Sequence, residues 1–235
     1  MSGRRRIYLM RHAQVRYFGT LDPEQVVLTE DGRRQAAAAA AALAEVTFDR
    51  VVTSGLVRTL ETASIVAPAI EAEARYGLRE IESGELRGLA PETVQELMET
   101  AFRGVVPLDT RFLGGESVDA LFDRVLPELD ALLADAGWDV LLLILHGGVN
   151  RAILGHALTG ERVFLGGFEQ SPACINIIDV AADGASIVRA VNHTAYDPGH
   201  VDAPRTTTME HLWEEYLASR DAKNAVTPSL HPPIP

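Results

Sequence analysis

Short apolar runs alternate along the chain with longer stretches in which apolar residues recur every three or four positions. The short runs predict strands at 6–10, 48–53, 139–145, 173–181 and 187–192. The longer stretches predict helices at 29–44, 57–67, 91–102, 118–132, 149–158 and 209–217. Because strands and helices alternate, we predict an α/β fold with a mixed, mostly parallel sheet.

Polar residues and prolines mark where several of these elements begin and end. Thr29 and Ser117 stand where N-cap residues are expected, and Pro68 follows the end of a helix. Pro127 lies inside a predicted helix and is expected to kink or split it. Residues 225–235 contain four prolines and are expected to be extended or mobile.

The composition is that of an ordinary globular protein, with 47% hydrophobic and 23% charged residues. No apolar run approaches the roughly 20 residues that span a bilayer. Neither a repeat nor an interdomain linker is evident in the sequence. We therefore predict one domain over residues 1–205, followed by a C-terminal helix and proline-rich segment over 206–235.

The net charge of −12 argues against general binding to nucleic acid or to anionic membranes. It also means that an anionic substrate needs a local cluster of cations. The single cysteine, Cys174, lies in an apolar run, so it is expected to be a small buried side chain without a disulfide. These features, and a basic N-terminus with no following apolar segment, lead us to expect a cytoplasmic protein.

Three predicted strands each end in residues suited to phosphate chemistry. Since parallel strands deliver their carboxyl ends to one edge of a sheet, we expect these residues to meet. The three groups are Arg11-His12, the segment from Thr53 to Arg58, and His146-Gly147-Gly148.

Each of these residue types has a chemical reason to be there. Arg11 and Arg58 carry planar cationic forks that match phosphate oxygens. A histidine is a nucleophile or proton carrier near neutral pH. A glycine pair at a helix N-terminus lets backbone N–H groups approach an anion closely. Singly, each feature is more often a turn or a solvated residue, but together they predict phosphate chemistry at a histidine.

The loop from Leu78 to Gly88 contains three glutamates, Glu80, Glu82 and Glu85. Hydrolysis of a phosphate ester needs an acid that protonates the departing oxygen. One of the glutamates can fill that role, although periodicity does not select which one.

The order of these motifs is specific when they are taken together. The motifs are Leu9-Met10-Arg11-His12-Ala13, Leu28 to Gly32, Thr53-Ser54 with Arg58, Leu78-Arg79-Glu80 with Gly84 and Gly88, Gly115-Glu116-Ser117, and Ile144 to Gly147. Over residues 6–191 the chain resembles the histidine phosphatases of the phosphoglycerate mutase-like branch. The resemblance implies a three-layer α/β/α sandwich and a metal-independent phosphoric monoester hydrolase that uses no cofactor.

The resemblance also implies a role for each matching residue. His12 corresponds to the nucleophile that becomes a phosphohistidine, and Glu80 to the general acid, with Glu82 and Glu85 as alternatives. The remaining matches belong to the phosphate pocket, namely Arg11, Arg58, His146 and the backbone N–H of Gly147.

The chain departs from the family pattern just after the nucleophile. Gln14, Val15 and Phe18 occupy the expected substrate wall, and the last two replace a serine and an asparagine of the mutases. The segment 80–115 is also shorter than the mutase insertion. We therefore expect a phosphatase acting on a small-molecule phosphate ester, with mutase-type phosphoryl transfer at the same site as the alternative. A metal-dependent hydrolase and a non-catalytic phosphate-binding module remain rival classes.

The other regions carry weaker expectations. His193, His200 and His211 are expected to be solvated, with His193 able to border the pocket. The segments 91–102 and 194–204 can form a lid over the site. The sequence leaves homodimerisation open.

Overall fold

The computed structural model of the protein describes residues 3–18, 22–86, 88–203 and 205–226. The strands are β1 (Arg5–Arg11), β2 (Arg50–Thr53), β3 (Glu73–Ala74), β4 (Val105–Val106), β5 (Val140–Leu145), β6 (Phe164–Leu165), β7 (Ile175–Val180) and β8 (Ser186–His193). The helices are α1 (Glu30–Ala42), α2 (Val57–Val66), α3 (Pro91–Thr100), α4 (Val118–Ala134), α5 (Gly147–Thr159) and α6 (Thr208–Val226). Three short 3₁₀ helices lie at Pro23–Gln25, Tyr76–Leu78 and Phe112–Gly114.

Six strands form the central sheet in the order β3-β2-β5-β1-β7-β8. The pairs β3–β2, β2–β5 and β5–β1 are parallel, whereas β7 is antiparallel to both β1 and β8. The predicted α/β fold with a mostly parallel sheet is confirmed. Two short strands, β4 and β6, pair separately and were not evident from the sequence.

Alternate residues of the central strands face two separate cores, which makes the fold three-layered. Ile7 and Leu9 of β1 pack with α4 and α5 in one core. Tyr8 and Met10 pack with α1 and α2 in the other. Since β5 is apolar at every position, both of its faces can be covered in this way.

A third, smaller cluster joins α3 to α6. Val94 and Met98 of α3 are buried against Met209, and Trp213 and Tyr216 of α6 pack onto the same cluster. The C-terminal helix therefore docks on α3 through an apolar face.

Two sequence expectations about helices were wrong. Helix α4 continues through Pro127 rather than splitting there. Pro127 lacks the N–H that would donate to the carbonyl of Asp123. Both residues lie on the exposed face of α4, where water can satisfy that carbonyl. Helix α6 includes Ala225 and Val226, which were expected to be extended; the remaining residues of the proline-rich segment lie outside the described residues.

Candidate active site

The carboxyl ends of three neighbouring parallel strands bring the predicted site residues together. Arg11 of β1 is in register with Leu145 of β5, and Thr53 of β2 with Ile144. The next residues along the chain therefore emerge at one edge of the sheet. The residues that follow the three strands are His12, Ser54 and His146.

His12 is buried and held in a defined orientation. Its Nδ1 lies 2.8 Å from the carbonyl oxygen of Ala13, which only accepts hydrogen bonds, so Nδ1 must carry the proton. Burial, together with the charges of Arg58 and Arg11, holds the pKa of His12 well below its ordinary value. The imidazole is therefore neutral at physiological pH, and its Nε2 keeps the lone pair that a nucleophile needs.

Two arginines supply positive charge beside this imidazole. Arg11 and Arg58 are each only 5% exposed. Arg11 donates from Nη1 to the carbonyl oxygen of Gln170 at 2.6 Å, while its buried Nε has no hydrogen-bond partner within the described part of the chain. A buried guanidinium N–H without a hydrogen-bond partner is suited to bind an anionic ligand.

His146 is fully buried and lies beside His12, with 5.3 Å between the ring centroids. Its Nε2 is 2.7 Å from the hydroxyl oxygen of Ser54, and its Nδ1 has no hydrogen-bond partner among the described residues. Burial, and then Arg58, His12 and Arg11, hold the pKa of His146 well below its ordinary value. When Ser54 donates to Nε2, the neutral ring carries its proton on Nδ1 and can donate it to a phosphoryl oxygen.

The N-terminus of α5 faces a carboxylate. The N–H of Gly148 donates to Glu80, with distances of 2.9 Å to Oε1 and 3.2 Å to Oε2. A Cβ at Gly148 would lie 2.6 Å from Glu80 Oε1, so only glycine allows this approach. A Cβ at Gly147 would lie 3.7 Å from both Glu80 Oε2 and Arg11 Nε. Glu80 is thus brought to the same edge as the two histidines, whereas Glu82 and Glu85 are exposed.

A cavity of about 520 Å³ opens from His12 and Arg11. The segment 192–203 forms much of one wall. It overlaps the segment 194–204, which the sequence suggested as part of a lid. The N-terminal half of α6 and the residues just before it add Thr206, Thr207, Thr208, His211 and Glu215. His200 and His211 are exposed, as expected, but they also line this cavity, whereas His193 does not.

The three residues expected on the substrate wall are placed differently from one another. Gln14 and Val15 line the cavity. Gln14 Oε1 accepts a hydrogen bond from the hydroxyl of Thr29, which caps α1, at 2.8 Å. Phe18 does not line the cavity, contrary to the sequence expectation. Its ring packs edge-on against Tyr216 of α6 with 5.5 Å between centroids, an arrangement that buries the aromatic surface away from a polar site.

A buried network of polar side chains supports the site. Gln170 Nε2 donates to Asn176 Oδ1 at 3.0 Å, and Asn176 Nδ2 donates to the carbonyl oxygen of Leu9 at 2.8 Å. The same Gln170 provides the carbonyl that holds Arg11. Cys174 also lies here, and burial raises the pKa of its thiol to about 12, so it is unsuited to act as a nucleophile.

Sequence reasoning missed several residues that contact the site. Tyr17 lines the cavity and its hydroxyl oxygen is 3.1 Å from Nε2 of His12. Thr208, at the start of α6, lies 3.4 Å from Nη1 of Arg11 and donates its hydroxyl proton to Glu169. The position of Tyr17, only five residues after His12, was the one available signal. The contact of Thr208 joins residues distant in the sequence, so no local pattern marks it.

Within the part of the chain that the structure describes, no group of three or more His, Cys, Asp or Glu side chains is arranged to hold a metal ion. Across the same residues, no helix has both the length and the apolar character needed to cross a membrane.

Comparison with known proteins agrees with this geometry. Two curated relatives are a phosphoserine phosphatase of Hydrogenobacter thermophilus and a probable phosphoglycerate mutase of Salmonella paratyphi A. The first is 35% identical over 130 residues, covering 51% of this chain and 60% of that protein. The second is 30% identical over 218 residues, covering 87% of this chain and 98% of that protein.

A solved structure and a family model extend the comparison. The structure of a mycobacterial glucosyl-3-phosphoglycerate phosphatase with inorganic phosphate has a TM-score of 0.63 and 25% identity, covering 81% of this chain and 98% of that one. The sequence model of the histidine phosphatase superfamily, branch 1, matches residues 7–193. The chain belongs to branch 1 of the histidine phosphatase superfamily.

Proposed function

We propose that the protein hydrolyses small-molecule phosphate monoesters through a phosphohistidine formed on Nε2 of His12. The observation that carries this proposal is the state of His12 itself. The ring is buried and neutral, its Nδ1 donates to the Ala13 carbonyl, and His12 lines a cavity together with the buried Arg11, while the buried Arg58 is close enough to lower its pKa.

In the first step, Nε2 of His12 attacks phosphorus while the bond from phosphorus to the ester oxygen breaks. The guanidinium groups of Arg11 and Arg58 and the imidazole of His146 stabilise charge on the phosphoryl oxygens. The ring becomes a phosphorylated imidazolium, whose proton stays on Nδ1 and continues to donate to the Ala13 carbonyl oxygen. Because that carbonyl dipole favours the developing positive charge, it assists the attack.

Glu80 is the acid that protonates the departing alkoxide. It lies at the α5 N-terminus next to the phosphate-binding groups, while the other two glutamates of its loop are exposed. In the second step, its carboxylate takes a proton from water as the water oxygen attacks phosphorus and the bond from Nε2 to phosphorus breaks. Inorganic phosphate leaves, and both His12 and Glu80 return to their starting protonation states.

The cavity beyond His12 supports hydrolysis of esters whose leaving group has no carboxylate. Four acidic residues line it, and among the described residues that do so Arg11 is the sole arginine or lysine. A carboxylate on the leaving group would therefore face other carboxylates without a second cation to bind it. This disfavours phosphoglycerate and hence the mutase alternative. The four acidic residues are Glu169, Asp197, Asp202 and Glu215.

The deciding experiment measures two reactions of the purified protein side by side. Release of inorganic phosphate from p-nitrophenyl phosphate and a panel of phosphorylated metabolites tests hydrolysis, and conversion of 3-phosphoglycerate to its 2-isomer tests mutase activity. The trapped phosphoenzyme should be labile in acid and stable in base, as a phosphohistidine is. A phosphoenzyme that is stable in acid and labile in base would exclude a phosphohistidine. Isomerisation that outpaces phosphate release would overturn the proposal in favour of the mutase.

A further inference from the structure

The attacking nitrogen of His12 is already engaged by another side chain. The hydroxyl oxygen of Tyr17 lies 3.1 Å from Nε2. Since Nε2 is the unprotonated nitrogen of a neutral ring, the hydroxyl must donate and Nε2 must accept. The lone pair needed for attack on phosphorus is therefore occupied by the proton of Tyr17.

The same hydroxyl lies among the groups that would hold a phosphoryl group. Arg11 interacts with the Tyr17 side chain, and the guanidinium carbon of Arg58 is 5.7 Å from the centre of the Tyr17 ring. Tyr17 is half-buried and lines the cavity together with His12. A phosphorus atom placed for in-line attack must come within about 3–3.5 Å of Nε2. The hydroxyl and the phosphoryl group thus compete for one position.

From this competition, and resting on the proposed function, we infer that Tyr17 is a catalytic residue whose hydroxyl transfers its hydrogen bond from Nε2 of His12 to an oxygen of the phosphoryl group. Before substrate binds, the hydroxyl caps the nucleophile. When the phosphoryl group arrives, a rotation of the side chain frees the lone pair, and the same O–H group donates a hydrogen bond to a phosphoryl oxygen. No bond to hydrogen breaks in this exchange.

The direction of the exchange follows from the charges involved. A hydrogen bond from a hydroxyl to a charged phosphoryl oxygen is about twice as strong as one between neutral partners. The hydroxyl therefore gains more in the complex than it loses by leaving Nε2, and this gain persists in the transition state, where charge is spread over the three equatorial oxygens. Removing the hydroxyl should weaken binding of a transition-state mimic by about five- to tenfold.

The test compares Tyr17→Phe with Tyr76→Phe in the full-length protein. Tyr17→Phe keeps the ring, which packs on the second core, and removes only the hydroxyl. Tyr76 is a matched control because its ring also faces an arginine, Arg79 at 5.0 Å, but it is exposed and lies outside the cavity lining. The measurements are inhibition by vanadate and the rate of phosphoenzyme formation in a single turnover.

We expect Tyr17→Phe to weaken vanadate inhibition by about five- to tenfold and to slow phosphoenzyme formation, with a smaller change in KM, while Tyr76→Phe matches the wild type. If Tyr17→Phe binds vanadate as tightly as the wild type, the side chain of Tyr17 acts only by packing. Tighter binding would show that the hydroxyl is merely an obstacle. Either result overturns the inference.

A measurement on the wild-type protein keeps the inference testable if Tyr17→Phe folds poorly. Nitrogen NMR of isotope-labelled histidine reports whether Nε2 of His12 accepts a hydrogen bond. Added vanadate should shift the Nε2 signal of His12 and should also shift the signal of the Tyr17 hydroxyl proton. An unchanged Tyr17 hydroxyl signal would contradict the transfer. If His12→Ala retains phosphatase activity, the proposed function fails; if it is inactive and Tyr17→Phe behaves as wild type, only this inference fails.

Discussion

His12 and His146 face each other, with 5.3 Å between their ring centroids, because each directly follows the last residue of one of two adjacent parallel strands. The register pair of Arg11 and Leu145 sets this spacing. The two rings differ in their partners. His12 has its Nδ1 on a backbone carbonyl, and His146 has its Nε2 on the hydroxyl of Ser54. This difference is the reason why we propose nucleophilic attack for His12 and phosphoryl binding for His146.

His12→Ala is expected to lower phosphatase turnover by about a thousandfold or more, because the neighbouring imidazole of His146 has its Nε2 engaged by the hydroxyl of Ser54 and its proton on Nδ1, so it offers no free lone pair. Phosphate release from p-nitrophenyl phosphate measures the effect, and acid–base lability of the trapped phosphoenzyme identifies the intermediate. His193→Ala provides the control, since His193 is exposed and outside the cavity lining. Turnover that survives in His12→Ala would show that another residue is the nucleophile.

The positions of the two histidines and two arginines of the site can be predicted from local sequence patterns. Uninterrupted apolar runs such as 140–145 are typical of buried parallel strands, and the parallel topology brings the polar residues at their carboxyl ends to one edge. The sequence pattern therefore predicts that Arg11, His12, Arg58 and His146 lie together at this edge.

The features that escaped prediction depend on contacts between distant segments. Phe18 was expected on the substrate wall, but Tyr216 of α6, almost two hundred residues later, offers its ring a better partner. Pro127 was expected to kink or split α4, but the helix is continuous, and its exposed face lets water satisfy the carbonyl of Asp123 that has lost its helical partner. The cavity walls from 192 to 215 likewise depend on how the chain returns after β8, and no residue pattern specifies that path.

Glu80→Gln should slow alkyl phosphates by about a hundredfold or more while affecting p-nitrophenyl phosphate much less. An alkoxide needs a proton to leave, whereas p-nitrophenolate is a weak base that departs without one. Measuring kcat/KM for both substrates, which reports only the steps up to phosphoenzyme formation, keeps the role of Glu80 as acid apart from its later role in hydrolysing the phosphoenzyme. Glu82→Gln and Glu85→Gln are the matched controls, because both side chains are exposed in the same loop. Equal losses on the two substrates would remove Glu80 from the role of acid.

The acidic cavity predicts discrimination between substrates that differ by one carboxylate. Phosphoethanolamine and phosphoserine form such a pair, and glycerol 3-phosphate and 3-phosphoglycerate another. We expect the member without the carboxylate to have a kcat/KM at least about fivefold higher, which corresponds to about 1 kcal/mol of repulsion between charges. Comparing kcat/KM within each pair cancels differences in the chemical step.

Glu215→Gln tests the source of that discrimination. Its buried Oε2 has no hydrogen-bond partner among the described residues, and its Oε1 lies 3.6 Å from Nε2 of His211, so the substitution removes the charge and keeps the shape of the side chain. The ratio within each pair should then fall toward one. Glu99→Gln, on the exposed side of α3 and outside the cavity lining, should leave the ratio as it is. A wild-type enzyme that prefers phosphoserine or 3-phosphoglycerate would rule out repulsion by the cavity.

The two buried histidines also predict how stability depends on pH. The pKa values of His12 and His146 lie well below their ordinary value in the folded protein, mainly because of burial and Arg58, whereas in the unfolded chain each titrates near pH 6.5. As the pH falls through about 6.5, the unfolded chain takes up protons that the folded protein does not. The free energy of unfolding should therefore decrease with falling pH, by up to about 1.4 kcal/mol per pH unit for each histidine.

Urea unfolding measured at intervals between pH 8 and about pH 5 tests this slope, because an ordinary histidine changes charge within that range. Carboxylates such as Asp179, whose pKa is lowered by its hydrogen bond to Arg6, lose their contribution only at lower pH. His12→Asn removes one of the two titrating groups and should flatten the slope by about half of their joint contribution. His193→Asn, at an exposed position, should leave it unchanged. If the free energy of unfolding of His12→Asn changes with pH as steeply as that of the wild type, His12 takes up a proton in the folded protein. Its lone pair would then be unavailable for attack on phosphorus.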